Sequence, residues 1–327
     1  MTLPDPHAAP NPSSGPSSGH SSGPTPFDPW TLGASLYTPA TRPDLAELGS
    51  GRWPDLTSLI YCTEDAVRED DLPLALANLR AALPHLGERG PLRLIRVRNP
   101  AVLREVLDMD LRAVTGFVLP KIHAGNLAGY LNELGAPEHA HLHVFPTLET
   151  REALSETDMT ALRDLILTRG WQDRVGGLRI GGNDLMHALG VRRTPGRTVF
   201  EGPLERVISM LIGVFKPAGF ALSSPVYEVF SDPATLAREL QQDLEYGLCG
   251  KTIIHPAQIG AVLGAYAVHP HDLQEARAIL APDAPAVFSM NGRMCEPATH
   301  TRWAADILAR AERYGVLPEQ QSEALHF

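Results

Sequence analysis

Two stretches decide the reading of this chain: His143-Val144-Phe145-Pro146-Thr147-Leu148-Glu149-Thr150 and Leu178-Arg179-Ile180-Gly181-Gly182-Asn183-Asp184-Leu185. Each is an apolar run that stops at a carboxylate among turn residues. Runs of this length bounded by turn signals read as buried strands. In a sheet of parallel strands the C-terminal strand ends gather on one face, and binding sites form there. Glu149 and Asp184 on that face could hold a hard divalent cation. Mg²⁺ takes one or two carboxylates and leaves its other positions to water and substrate oxygens. The plainer alternative has Glu149 capping the next helix and Asp184 making a turn.

Outward from these runs, short apolar segments alternate with longer amphipathic ones from Gly33 onward. Strands are expected over 33–37, 57–62, 92–98, 115–119, 141–146, 175–180, 219–222 and 250–254. Helices are expected over 71–83, 100–108, 124–134, 157–169, 204–215 and 232–246. Eight strands alternating with helices predict an α/β fold, a (β/α)₈ barrel rather than an open sheet. The chain has 327 residues, which suits a barrel of about 250 residues with additions. The barrel is placed in 28–255, followed over 256–327 by a C-terminal helical appendage with helices at 256–266, 271–280 and about 298–315. Residues 1–27 are Pro, Ser and Gly with interspersed His. Such a segment cannot bury enough surface to offset its ordering entropy, and it reads as a disordered tail.

With 43% hydrophobic residues the chain can bury a large core, and a net charge of −10 argues against nucleic-acid binding, which needs a basic patch. Cys62, Cys249 and Cys295 are far apart and lack metal-ligand spacing, which suits a reducing cytoplasm. No stretch is long and apolar enough to span a membrane, and no basic segment precedes an apolar one as in a signal peptide. The expected partner is therefore a small molecule, not a nucleic acid or a membrane.

Several strand ends carry further chemistry. After the first strand, Thr38-Pro39-Ala40-Thr41-Arg42-Pro43-Asp44 puts Arg42 at the barrel mouth, to meet a carboxylate or phosphate or simply to lie on the surface. The second strand ends in Glu64-Asp65, two acids that are costly if buried unpaired but ordinary at a helix N-terminus. In the third strand Arg96 and Arg98 share one parity and Arg93 the other. If the shared parity faces the interior, both forks point at the site. Lys121 follows the fourth strand; an electrostatic role suits it better than a Schiff base, which needs a depressed pKa. His255 ends the eighth strand before Pro256, where a hydrogen-bonded structural histidine is the simpler reading. His139, His141 and His143 alternate on one parity, as a strand edge would also produce.

Taken in order, Pro39-x-x-Arg42-Pro43, Thr63-Glu64-Asp65-Ala66-Val67, Arg96-Val97-Arg98-Asn99, Leu119-Pro120-Lys121, Leu148-Glu149-Thr150, Asn183-Asp184-Leu185 and Gly250-Lys251…Ile254-His255-Pro256 resemble the citrate lyase β-subunit-like family. That family includes malyl-CoA lyases and the HpcH/HpaI aldolases, and the resemblance runs from about 33 to 315. It implies a Mg²⁺-dependent barrel enzyme that breaks or forms a carbon–carbon bond beside a carboxylated carbonyl, on an acyl-CoA or a small oxo-acid. By resemblance Glu149 and Asp184 are the metal ligands, Arg96 holds the reacting oxygen, and Glu64 and Asp65 surround the metal's waters. Arg42, Arg98 and Lys121 would face the substrate. In some relatives an acid from a neighbouring subunit completes the site. Its motif resembles Asn291-Gly292-Arg293-Met294-Cys295-Glu296-Pro297, which nominates Glu296 and implies a homotrimer or hexamer.

Three departures stand out: Cys62 replaces an acid, Arg98 stands where Asn is common, and Glu296 replaces Asp. The extra cation and lost anion suggest a more acidic substrate, or one other than a common acyl-CoA. The chain is most similar to a divergent bacterial branch of carbon–carbon bond lyases, some linked with tellurium-resistance and stress gene clusters. A malyl-type thioesterase and a non-catalytic scaffold that binds an acidic metabolite are the competing readings.

Overall fold

A computed structural model describes Pro24 and residues 26–318. The tail expected over 1–27 lies outside the described residues except for its last positions. Eight parallel strands form one sheet: β1 (Ala34–Pro39), β2 (Ser58–Cys62), β3 (Leu92–Arg96), β4 (Gly116–Leu119), β5 (His143–Leu148), β6 (Leu178–Ile180), β7 (Leu222–Ser223) and β8 (Lys251–Ile253). Sequential strands pair in order and β8 returns to β1. The seam between β7 and β8 is held by a single parallel bridge, Ser224 to Lys251. The expected (β/α)₈ barrel is the observed fold.

Between the strands run α1 (Leu45–Gly49), α2 (Leu72–Ala82), α3 (Pro100–Leu107), α4 (Leu127–Glu133), α5 (Glu156–Thr168), the short α6 (Gly182–Ala188), α7 (Leu204–Phe215), α8 (Pro233–Glu245) and α9 (Ile259–Tyr266). Several starts are set by side-chain caps. Asn99 accepts from the amide of Val102, Ser155 from Asp158 and Asp232 from Thr235, each satisfying one orphan donor of the first turn.

The parity of each strand divides two cores. Leu36, Tyr61, Ile95, Phe117 and Leu148 face the helices and pack with Leu79, Val106, Leu162 and Leu211. Ile60, Leu94, Val118 and Phe145 face inward and fill the barrel's middle with Leu32. Below them Phe27 closes the floor, its ring 5.1 Å from those of His143 and Phe145. Inward positions one step higher are polar: Tyr37, Cys62, Arg96, Thr147 and Arg179 line a cavity.

The division between barrel and appendage falls one helix later than residue 256. Ile259, Val262 and Tyr266 of α9 belong to the barrel's core, because eight strands need an eighth helix to cover the last one. A second core begins at Val268 and unites α10 (Pro270–Ile279), the hairpin β9 (Phe288–Met290) and β10 (Arg293–Cys295), and α11 (Pro297–Tyr314). The hairpin turns on Asn291-Gly292, with φ of 51° and 74°, the conformation that favours Asn-Gly in two-residue turns. The apolar stripe of α11 is covered within this unit: Ala304 and Ile307 are buried, Leu308 and Ala311 pack beside them, and Trp303 stays 36% exposed. Among the described residues no helix is long and apolar enough to cross a membrane.

Candidate active site

A cavity of about 510 Å³ opens at the C-terminal mouth of the barrel, lined by Tyr37, Asp65, Arg96, Glu149, Arg179, Asp184 and Thr252 among others. Glu149 follows directly on β5 and is 5% exposed. Its Oε1 accepts from the Lys121 amide at 2.8 Å and from Arg96 Nη2 at 3.1 Å. Lys121 has a φ of 55°, a conformation rare for side chains other than Gly, Asn or Asp, and this residue delivers the amide to Glu149. Gly181 makes room for the carboxylate, since a Cβ there would lie 2.4 Å from Glu149 Oε2. Asp184 sits in the first turn of α6, just beyond the β6 strand end where the sequence put it.

Arg96 is the hub. Its Nη2 meets Glu64 at 2.8 Å, Asp65 at 3.0 Å and Glu149 at 3.1 Å, while its Nε is buried without a partner. Burial alone would lower its pKa, but Tyr37, Glu149 and Glu64 raise it, so it stays protonated. Lys121 Nζ bonds to Glu64 and, at 3.2 Å, to Asp65. Burial opposes its charge, yet these acids push its pKa above the ordinary lysine value, the opposite of what an amine nucleophile needs. Burial pushes Glu149 up to about 7, against the pull of Arg96, and Asp184 adds to the rise. Two carboxylates lining one cavity, one of them raised in proton affinity by burial and by the other's charge, suit a divalent cation. Among the described residues no cluster of three or more His, Cys, Asp or Glu side chains forms a metal cage, so water and substrate would complete the shell.

The structure thus brings together Arg96, Glu64, Asp65, Lys121, Glu149 and Asp184. It does not bring Arg42, Arg98 or Glu296 of the same chain to the cavity lining. Arg42 is paired with Asp44 at 2.6 Å on the surface. Arg98 leaves β3 beyond its last residue and donates to the backbone carbonyls of Thr63, Glu64 and Val67. It shapes the loop that carries the two acids. Glu296 starts α11 and accepts from the Thr299 hydroxyl at 2.9 Å. His255 caps the turn at Pro256 and stacks on Phe230 at 5.0 Å. His143 lies at the barrel floor against Phe27. The residues missed in sequence are Tyr37, Thr252 and above all Arg179. A lone charge inside the apolar run of β6 was the available signal, but parity alone did not say which face it took.

A parallel barrel with two acids and an arginine converging at its C-terminal mouth has its polar groups where TIM-barrel enzymes carry their sites, and these residue types are able to hold a small anion and a hard cation. The chain belongs to the family of carbon–carbon bond lyases of the TIM-barrel fold, whose sequence pattern matches residues 26–316. It is 25% identical over 287 residues to a (3S)-malyl-CoA thioesterase of Cereibacter sphaeroides, covering 85% of this chain and 93% of that protein. It is 26% identical over 289 residues to a citrate lyase subunit beta-like protein of Deinococcus radiodurans, covering 82% and 93%. Its fold is similar to that of CitE from Mycobacterium tuberculosis in complex with magnesium, acetoacetate and coenzyme A. The TM-score is 0.64 at 23% identity, over 86% of this chain and 98% of that one.

Proposed function

We propose that this protein is a Mg²⁺-dependent lyase or aldolase that breaks or forms a carbon–carbon bond beside a carboxylated carbonyl, through an enolate. The observation that carries the proposal is the joined pair Arg96–Glu149, 3.1 Å apart, with Asp184 on the same cavity. Glu149 and Asp184 would hold the metal. When bound, Mg²⁺ supplies Lewis-acid stabilisation of negative charge developing on the substrate oxygen. The chain's own residues do the rest. Arg96 has its Nη2 committed to three carboxylates. Its guanidinium lines the cavity and is a preorganised donor for that same oxygen, of the kind that stabilises oxyanions. Asp65 lines the cavity; burial opposes its charge, but its bonds with Glu64, Arg96 and Lys121 hold its pKa below the usual range. As a carboxylate it can accept the hydroxyl proton when a bond is cleaved. Lys121 orients Glu149 through its amide.

The test is proton exchange into candidate oxo-acids and acyl-CoAs in heavy water, with and without Mg²⁺. Exchange by the wild type that is absent in Glu149→Gln supports the enolate; no exchange above that variant for any candidate rejects it. The names of the curated relatives favour a second reading, hydrolysis of a malyl-type thioester. Release of CoA thiol from malyl-CoA without an aldehyde product would select it. We further propose that Glu296, which lies off the cavity in its own chain, completes the site of a neighbouring subunit in a homotrimer or hexamer.

A further inference from the structure

Arg179 is a buried cation that the enolate chemistry does not use. It lies in the middle of β6, is 2% exposed, and faces the cavity. The other deeply buried cations are accounted for. Arg96 meets Glu64, Asp65 and Glu149. Arg193 meets Glu228 and Glu239, and Lys251 meets Glu239 and Asp243. Arg93 spends its donors on backbone carbonyls, including those of Gly49 and Gly87. Arg179 forms no ion pair among the described residues. Its Nη2 donates to the Thr252 hydroxyl at 2.7 Å, its guanidinium carbon lies 5.7 Å from the Tyr37 ring centre, and its Nη1 has no partner.

A buried charge without a counter-ion is costly, and proteins keep one where a ligand supplies the opposite charge. The neighbouring positions on the sheet point the same way. Arg179 is in register with Thr147 on β5 and Ser223 on β7, and both hydroxyls are buried without partners. Three donors thus sit side by side across three strands. Arg96 on β3 lies 5.8 Å from the same Tyr37 ring, and both arginines line the one cavity.

We propose that Arg179, with Thr147 beside it on the cavity wall, binds a second carboxylate of the substrate, and that the substrate is a compact dicarboxylic acid. One carboxylated carbon is held at Glu149, Asp184 and Arg96, and the other carboxylate at Arg179. The placement of the first end rests on the lyase reading; the anion site at Arg179 does not. This assigns the extra cation foreseen at Arg98 to a different residue, because Arg98 is taken up by backbone carbonyls.

Malate and lactate differ only in the second carboxylate and serve as probes. Each is titrated calorimetrically into the full chain, wild type, Arg179→Met and Arg179→Lys, with Mg²⁺ and again with a chelator. Wild type is expected to bind malate about tenfold more tightly than lactate, the scale of a charge-assisted hydrogen bond. Arg179→Met should bring the ratio near one while leaving lactate affinity unchanged, and Arg179→Lys should keep part of the preference. Arg179→Met should also melt no lower than wild type, since it removes an uncompensated charge at similar length. A ratio near one in wild type, an unchanged ratio in Arg179→Met, or no binding of either acid at millimolar concentration overturns the proposal. So does a clear drop in the melting temperature of Arg179→Met, which would make Arg179 a structural cation. If the chelator leaves lactate binding unchanged, the metal reading fails, while a malate preference that depends on Arg179 still stands.

Discussion

Gly181→Ala separates geometry from charge at the proposed metal site. The backbone at Gly181 has a φ of −86°, which any residue adopts, so the substitution strains nothing locally. Space is the obstacle. The added Cβ would lie 2.4 Å from both Glu149 Cβ and Glu149 Oε2, where ordinary contact begins at 3.4 Å. The glutamate must retreat by about 1 Å, and contacts this short are strongly repulsive. Its Oε1 is held by the Lys121 amide at 2.8 Å and by Arg96 at 3.1 Å, so retreat loosens both bonds. Overpacking of this kind costs about 1–3 kcal/mol of stability. A displacement of about 1 Å in a catalytic group costs about a hundredfold in rate. Denaturant unfolding should therefore show a folded but destabilised variant, and calorimetry should show Mg²⁺ binding weakened by about tenfold or more as its ligand is misplaced. Wild-type stability together with wild-type Mg²⁺ affinity would refute the argument, because Glu149 would then have room that the structure denies it.

Gly213→Ala is the contrasting case: the residue is exposed on α7 with nothing within 4 Å of a new Cβ. Chemical unfolding should show a gain of up to about 1 kcal/mol, and a loss would mean α7 is not a regular helix there. Arg96→Lys keeps the charge but loses the fork, and turnover of the identified substrate should fall by about a hundredfold or more; a near-wild-type rate would remove Arg96 from the oxyanion. Mixing inactive Glu149→Gln chains with inactive Glu296→Gln chains should restore part of the activity, since some hybrid sites hold both acids. Mixed oligomers with no activity would sink the shared site. Burial, only partly offset by Lys251, pushes Asp243 up to about 6. The native chain then holds a proton that an unfolded carboxyl releases, so this group adds stability as pH falls from about 6 to about 4. Asp243→Asn should lack that increment, and parallel melting temperatures of both proteins across this range would reject it.

The order of elements was legible in the sequence because it rests on local patterning. Apolar runs between turn residues marked the eight strands, though the seventh, expected over 219–222, stands at Leu222–Ser223. Glu149 and Asp184 stood out for the same reason: a carboxylate ending an apolar run is visible without knowing its neighbours. The hairpin at Asn291-Gly292 was not foreseen, because each of its strands is only three residues long. What only the tertiary structure decided is which way a strand's charged residue points. In a closed parallel barrel both faces of each strand are buried, so alternation of apolar and polar residues fades, and parity by itself does not tell inside from outside. Arg93 faces the helices and Arg96 the cavity; Arg98, in phase with Arg96, leaves the strand and turns to the backbone; Arg179 faces inward, lone among apolar neighbours. Register closes the matter, because Tyr37, Arg96, Thr147 and Arg179 become neighbours only when strands far apart in sequence are staggered around one axis.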